Sequence, residues 1–328
     1  MHHLASEVHV STLMTRPYAG EADLQPICEL LNTCDAVDDL DDNYDVAELR
    51  VEFTDPRLDP ERDLRLWEDA AGRLVGFGQI WIQPDGEVVD GFLYARVHPD
   101  ARASGLDDEI IAWGHKRVRQ VARERGQAAM LRSSTRDHDV RYRSILERHG
   151  FAIARYFFRM TCPLNAPIPE PQFPAGFTLR HVASDADIEQ WVEAYNQSFV
   201  DHWNFHPRTI EAQRHWLTDP NYRPELDLIA VAPDETIAAF CLCIINAADN
   251  ARNQRNEGWI ALLGTRRGFR RIGLGRAMLL AGLQQLKAAG VDTAKLGVDA
   301  TNPTGALRLY ESVGFRCMQT WINYVKDV

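Results

Sequence analysis

The sequence predicts two α/β domains of one kind in tandem. Three observations carry this: one order of elements occurs twice, a proline-dense segment separates the two runs, and each run contains a strand, a glycine-bearing turn and a long helix in succession. The length, 328 residues, fits about two domains. Residues 163–176, PLNAPIPEPQFPAG, hold five prolines. Neither a helix nor a central strand tolerates that density, so the segment reads as an extended linker. The expected organisation is an N-terminal extension at 1–14, a first domain at 15–162, the linker at 163–176 and a second domain at 177–328.

The elements repeat in order. TRPYAGEADLQPICELLN opens the first half and FTLRHVASDADIEQWVEAYN the second. Each reads as a short strand, a loop with acidic capping candidates and an amphipathic helix. LRLWEDAAGRLVGFGQIWI and LDLIAVAPDETIAAFCLCII follow as hairpins around D-A-A-G and P-D-E-T turns. Next come strands GFLYARV and WIALLGT, turns HPDARASGLD and RRGFRRIGLG, and long helices. Strands AAMLRSST and TAKLGVDA come after these, then short helices closed by Gly150 and Gly314, each placed as a helix C-cap.

Composition narrows the function classes. Hydrophobic residues are 45% and charged residues 25%, ordinary for a globular protein. No apolar run approaches the roughly 18 residues of a membrane helix, and the N-terminus has no apolar core of the signal-peptide kind. The six cysteines form no C-x-x-C pair or ligand-like group, so neither a metal nor disulfides are expected. Cys241 and Cys243 alternate along an apolar strand and read as buried thiols, which points to the reducing cytoplasm. A net charge of −11 argues against a general nucleic-acid surface. A local cluster (Arg266, Arg267, Arg270, Arg271, Arg276) still suits a small anion.

That cluster surrounds Arg270-Arg271-Ile272-Gly273-Leu274-Gly275-Arg276. Glycines allow close backbone approach, and the N–H groups at a helix start attract anions, a pyrophosphate among them. There is no Gly-Lys-Ser/Thr of a P-loop, and the third glycine of a dinucleotide fingerprint is missing. Taken alone, the turn reads first as a helix start with glycines for packing.

It is followed by Asn302-Pro303-Thr304-Gly305-Ala306-Leu307-Arg308-Leu309-Tyr310-Glu311-Ser312-Val313-Gly314-Phe315. Together, R-x-x-G-x-G and this string resemble the GNAT acyltransferase superfamily, and the tandem layout is similar to its mycothiol synthase branch. The resemblance covers 15–328, strongly in the second half. It implies two tandem domains of α/β (α+β) class, each a mixed, mostly antiparallel sheet flanked by helices. It also implies an N-acetyltransferase that uses acetyl-CoA and passes the acyl group directly to a small-molecule amine. An acyl-CoA sensor or a peptide N-acetyltransferase are the alternatives. No nucleic acid or membrane partner is expected, and monomer and homodimer stay open.

Residue by residue, the resemblance assigns the pantetheine arm to the backbone of Leu262, Leu263, Gly264 and Thr265. The pyrophosphate falls to Arg270, Arg271, Ile272, Gly273, Leu274, Gly275 and Arg276, and a further cofactor contact to Asn302. Tyr310 matches the tyrosine that protonates the departing thiolate. An attacking ammonium must first lose a proton. The branch places a glutamate where this chain has Trp259, so Glu257, on the same strand face, leads as base, with Asp201 and His202 as rivals. Trp203, Phe205 and Trp259 are candidate acceptor walls.

The first half keeps Arg102 and Gly105 but has Asp107 in place of Gly275, where a carboxylate would repel a pyrophosphate. Aligning Gly150 with Gly314 sets Leu146 opposite Tyr310 and His138 opposite Asn302. A non-catalytic first domain is expected.

Overall fold

The computed structural model describes residues 13–84 and 86–328. Residues 1–12 of the expected N-terminal extension lie outside the described residues. The chain divides into two compact units. One runs through Ser133 and adds Arg141–Ala152 and Val325–Val328; the other comprises Ser134–Val140 and Ile153–Tyr324.

The first unit contains β1 (Met14–Pro17), α1 (Glu21–Asp38), α2 (Val46–Phe53), α3 (Pro60–Asp63), β2 (Leu64–Glu68), β3 (Leu74–Ile82), β4 (Val88–Val97), α4 (Leu106–Arg125), β5 (Ala128–Arg136, as far as Ser133) and α5 (Val140–Arg148, from Arg141). Strands β1 to β4 pair antiparallel in chain order, and β4 with β5 is parallel over five residue pairs. Alternation within β3 and β4 sorts the faces. Phe77 packs with Leu24, Ile27, Leu31 and Phe53 of α1 and α2. Gly78 and Gly91 admit Trp113 and Val118 of α4 on the other face.

The second unit contains β6 (Ala152–Pro163, from Ile153), β7 (Thr178–His181), α6 (Asp185–Phe199), α7 (Ile210–Trp216), β8 (Asp227–Val231), β9 (Ile237–Ile244), α8 (Ala247–Asn253), β10 (Glu257–Thr265), α9 (Leu274–Ala288), β11 (Thr293–Asp299), α10 (Ala306–Val313) and β12 (Arg316–Asp327, as far as Tyr324). Its strand order is β12-β6-β11-β10-β9-β8-β7. Only β10 with β11 is parallel among the register pairs between β6 and β7. Each unit is thus the expected mixed, mostly antiparallel sheet flanked by helices.

The division follows strand pairing rather than chain order. Strand β6 precedes the proline-rich segment, yet it pairs with β11 from Thr293↔Pro163 to Asp299↔Phe157. A strand's register with its neighbour sets where it packs, and chain order alone does not reveal that register.

Two clusters hold the second unit. Leu274, Met278, Leu279, Leu283 and Leu286 of α9 pack on Leu228, Cys241, Cys243 and Ile260. Trp191 and Val192 of α6 cover Ile229, Val231 and Phe240 on the opposite face. A capping box starts α6, with Ser184 and Asp187 each bonding the other's backbone N–H. Both Cys241 and Cys243 are buried, as expected. Among the described residues no helix is long and apolar enough to cross a membrane.

Candidate active site

Strands β10 and β11 begin side by side and then part. Their parallel ladder holds three pairs, Glu257↔Thr293, Gly258↔Ala294 and Trp259↔Lys295, while β10 continues to Thr265 and β11 to Asp299. A register shift between Ile260 and Leu262 bends β10 at the parting point. Beyond it, Leu262 to Thr265 stay paired with β9 on one edge. Backbone N–H and C=O groups at an unpaired strand edge can bond an amide-bearing ligand in extended form.

The strand leads directly into the glycine turn. Gly273 (φ 91°) is the N-cap of α9; it has no side-chain cap and no acidic residue follows in the first turn. The first N–H groups of this 15-residue helix therefore keep their affinity for an anion. Arg271 is held at φ 65°, a left-handed conformation that costs a non-glycine residue about 1 kcal/mol or more. A Cβ on Gly275 would lie 3.3 Å from Thr265 Oγ1, a tight contact that a small shift of the hydroxyl relieves. Arg271 and Ile272 are exposed at the rim, and Arg276 donates to Ser312 Oγ of α10 at 2.9 Å.

Arg270 has a different task. Its Nε donates to Thr265 O (3.2 Å), Nη2 to Ser198 O (2.7 Å) and Nη1 to Asp201 Oδ2 (2.8 Å). It ties the end of β10 to the end of α6, while Arg267 adds a second ion pair on Asp201. The two guanidinium groups hold the Asp201 carboxyl down to about 2. Such a carboxylate is a counter-ion for the turn and a poor proton acceptor near neutral pH.

Tyr310 projects from α10 into the cluster that holds α9, edge-on to Phe315 at 6.0 Å. Burial pushes its phenol well above the ordinary tyrosine range, which keeps it protonated. Asn302 caps the turn ahead of α10, its Oδ1 accepting from Thr304 N at 2.8 Å.

The opposite face of β10 and β11 carries the remaining candidates. Glu257 is ion-paired to the buried Lys295 ammonium. Lys295 and Arg159 lie over the Trp259 ring at 5.8 and 5.1 Å. His202 and Trp203 pack on Phe157 of β6 with centroids 6.3 and 5.9 Å apart. His202 Nδ1 is 3.0 Å from Trp203 O. A carbonyl only accepts, so Nδ1 donates, and this tautomer leaves the lone pair on Nε2. Phe205 bonds back through its N–H to His202 O at 3.2 Å.

Chain order hid the contribution of β6. Arg155 grips Asp299, at the end of β11, through Nε and Nη2 at 2.9–3.0 Å, and its guanidinium lies 6.0 Å from the Trp203 ring. Phe157 and Arg159 share that face. The alternation of Arg155, Phe157 and Arg159 was visible in the sequence, but the segment read as the end of the first half.

Comparison with known proteins fits this geometry. The Acetyltransferase (GNAT) family profile matches residues 188–315. Mycothiol acetyltransferase of Thermobispora bispora is 30% identical over 70% of this chain and 78% of its own length. The chain belongs to the GNAT acetyltransferase family. The Nocardiopsis dassonvillei mycothiol acetyltransferase is 31% identical, over 77% of this chain and 78% of its own. Among solved structures, a GCN5-related N-acetyltransferase from Sphaerobacter thermophilus superposes with TM-score 0.73 and 25% identity, covering 96% of this chain and 95% of that one. A tandem GNAT protein from the clavulanic acid biosynthesis pathway shares the fold at TM-score 0.69 and 14% identity, covering 96% and 98%.

The first GNAT unit repeats the scaffold with its seat filled. Arg102 binds Asp38 through both terminal nitrogens (2.8 and 2.6 Å) and reaches Val97 O at 3.4 Å, the wiring of Arg270 with Asp201 and Thr265. The opening arginine is therefore a latch in both copies. Gly105 (φ 81°) begins α4, but three carboxylates follow in the first turn. Asp107 is buried and ion-paired to Arg141 at 2.8 Å, and Arg141 aligns with Gly305 of the second copy. Two glycines of one copy are thus an internal ion pair in the other. The turn before Gly105 is a regular 3-10 helix, Pro99–Ser104, without the strained residue seen at Arg271.

Proposed function

We propose that the second unit transfers an acetyl group from acetyl-CoA to the amine of a small-molecule acceptor. The observation that carries this is the uncapped, carboxylate-free start of α9 beside two parallel strands that part after three pairs. The pyrophosphate would take the amides of Arg271 to Arg276, with Arg271 and Arg276 supplying charge at the rim. The pantetheine arm would follow the open edge of β10 at Leu262 to Thr265, where an N–H can polarise the thioester oxygen. Relatives named mycothiol acetyltransferases support a small-molecule acceptor. Trp259, standing where that branch has a glutamate, favours a different one.

In this reading the amine nitrogen attacks the thioester carbon, and the C–S bond breaks as the thiolate leaves. Tyr310 gives its phenolic proton to the thiolate. His202 takes the proton of the attacking amine at Nε2, directly or through water. Asp201 is committed to two arginines and Glu257 to Lys295, so both hold the site together electrostatically.

CoA release over an amine panel tests the assignment. Tyr310→Phe is expected to lower kcat about ten-fold or more, and His202→Gln by about a hundred-fold, in the range of general acid and base contributions. Neither should change acetyl-CoA affinity by more than about three-fold. A variant with unchanged kcat removes that residue from the mechanism.

A further inference from the structure

Among the described residues six glycines lie inside strands: Gly76, Gly78, Gly91, Gly258, Gly264 and Gly297. A Cβ on any of the first five would fall 2.3–2.8 Å from a neighbouring side chain, so packing explains them. On Gly297 it would meet nothing within 4 Å. This residue is exposed in mid-strand, and its φ lies outside the left-handed region. Neither packing nor conformation requires glycine there, and glycine weakens a strand interior. The open space on this side leaves room for a ligand to approach the backbone closely.

Its surroundings say which ligand. Leu296 and Val298 face α9, so Gly297 faces the other side, between Lys295 and Asp299. It lies two residues past Lys295, where the ladder with β10 ends, and opposite Arg159 in β6. Phe157, the partner of Asp299, carries the His202 ring. In the first unit the aligned strand AAMLRSST has Arg132 at this place, buried and bonded to Asp90 at 2.7 Å. That face is filled in the first copy and open in the second.

We propose that Gly297 is the specificity-determining floor of the acceptor site. The notch above it takes a substituent on the carbon that bears the reacting amine, so the preferred acceptor is a branched amine rather than a straight-chain one. This rests on the second unit being the catalytic one.

The test uses the full chain, with D-glucosamine and L-serine methyl ester as branched probes and n-butylamine as the straight-chain probe. The wild type is expected to favour the branched amines. Gly297→Ala should lower their kcat/KM about ten-fold and Gly297→Leu about a hundred-fold, the scale of one to several misfitting carbons. The n-butylamine rate and the acetyl-CoA Kd from calorimetry should hold in both variants, and the melting temperature should hold or rise. Branched turnover that survives Gly297→Leu, or a wild type that prefers n-butylamine, overturns the inference alone. An acetyl-CoA Kd that weakens in step overturns it by giving the space to the pantetheine arm. A wild type that acetylates no amine overturns the proposed function, and this inference with it.

Discussion

Gly275→Asp is expected to weaken acetyl-CoA binding by at least about a hundred-fold while leaving the fold intact. It writes the first copy's Asp107 into the second copy's seat. A carboxylate would then occupy the first turn of α9, which has no acid now. Like charges brought together in a recognition site cost several kcal/mol, and about 2.7 kcal/mol already gives the hundred-fold. Stability should hold or rise, because an acid in the first turn complements the helix dipole, and a Cβ at 275 only crowds Thr265 Oγ1 at 3.3 Å. Titration and scanning calorimetry check the two effects. Wild type should bind one acetyl-CoA per chain and the variant none. Two equal sites in the wild type, or residual binding near full affinity in the variant, would refute the filled-seat account of the first unit.

The second large effect concerns stability. Asp227 opens β8, is 1% exposed, and its Oδ1 has no hydrogen-bond partner among the described residues. Tyr222 donates to its Oδ2 at 3.3 Å, a long bond. Burial pushes the carboxyl up to about 7. Unfolded, an aspartate titrates at about 3.9. Between about pH 4 and pH 7 the folded state thus holds a proton that the unfolded state has lost. Stability from this group is complete below about pH 4 and falls until about pH 7. Across that window the loss amounts to roughly 4 kcal/mol at most. Asp227→Asn removes the dependence, because an amide stays neutral. The wild-type melting temperature should therefore drop relative to the variant from pH 5 to pH 8, by roughly 5–10 °C for a unit of this size. Parallel pH profiles would exclude Asp227 as the source.

Much of the fold was legible because its signals are local. Apolar periodicity, hairpin turns and the C-cap glycines Gly150 and Gly314 each act within a few residues. Both C-cap positions do take positive φ, 81° and 112°. The glycine turn was legible for the same reason, since a helix start with Gly273 at the cap makes an anion seat from its own backbone. The role of Arg270 was not. Its sequence context marked a cation at the rim, but three contacts bind it to Thr265, Ser198 and Asp201. Asp201 changed with it, from a possible base to the counter-ion of two arginines. His202 gained, because the bond to Trp203 O that sets its tautomer depends on loop geometry.

The sequence by itself determined that there are two copies of one architecture, which copy has an open turn, and which carries the tyrosine. These follow from residue identity at aligned positions, and identity needs no coordinates. Only the tertiary structure decided what surrounds that turn. Strand pairing brought β6 beside β11, setting Arg155 against Asp299 and Arg159 opposite Gly297. Pairing across more than a hundred residues is set by register and packing between distant segments, which local pattern cannot encode. The same long-range packing separates Gly297, open and exposed, from five strand glycines that look no different in the sequence.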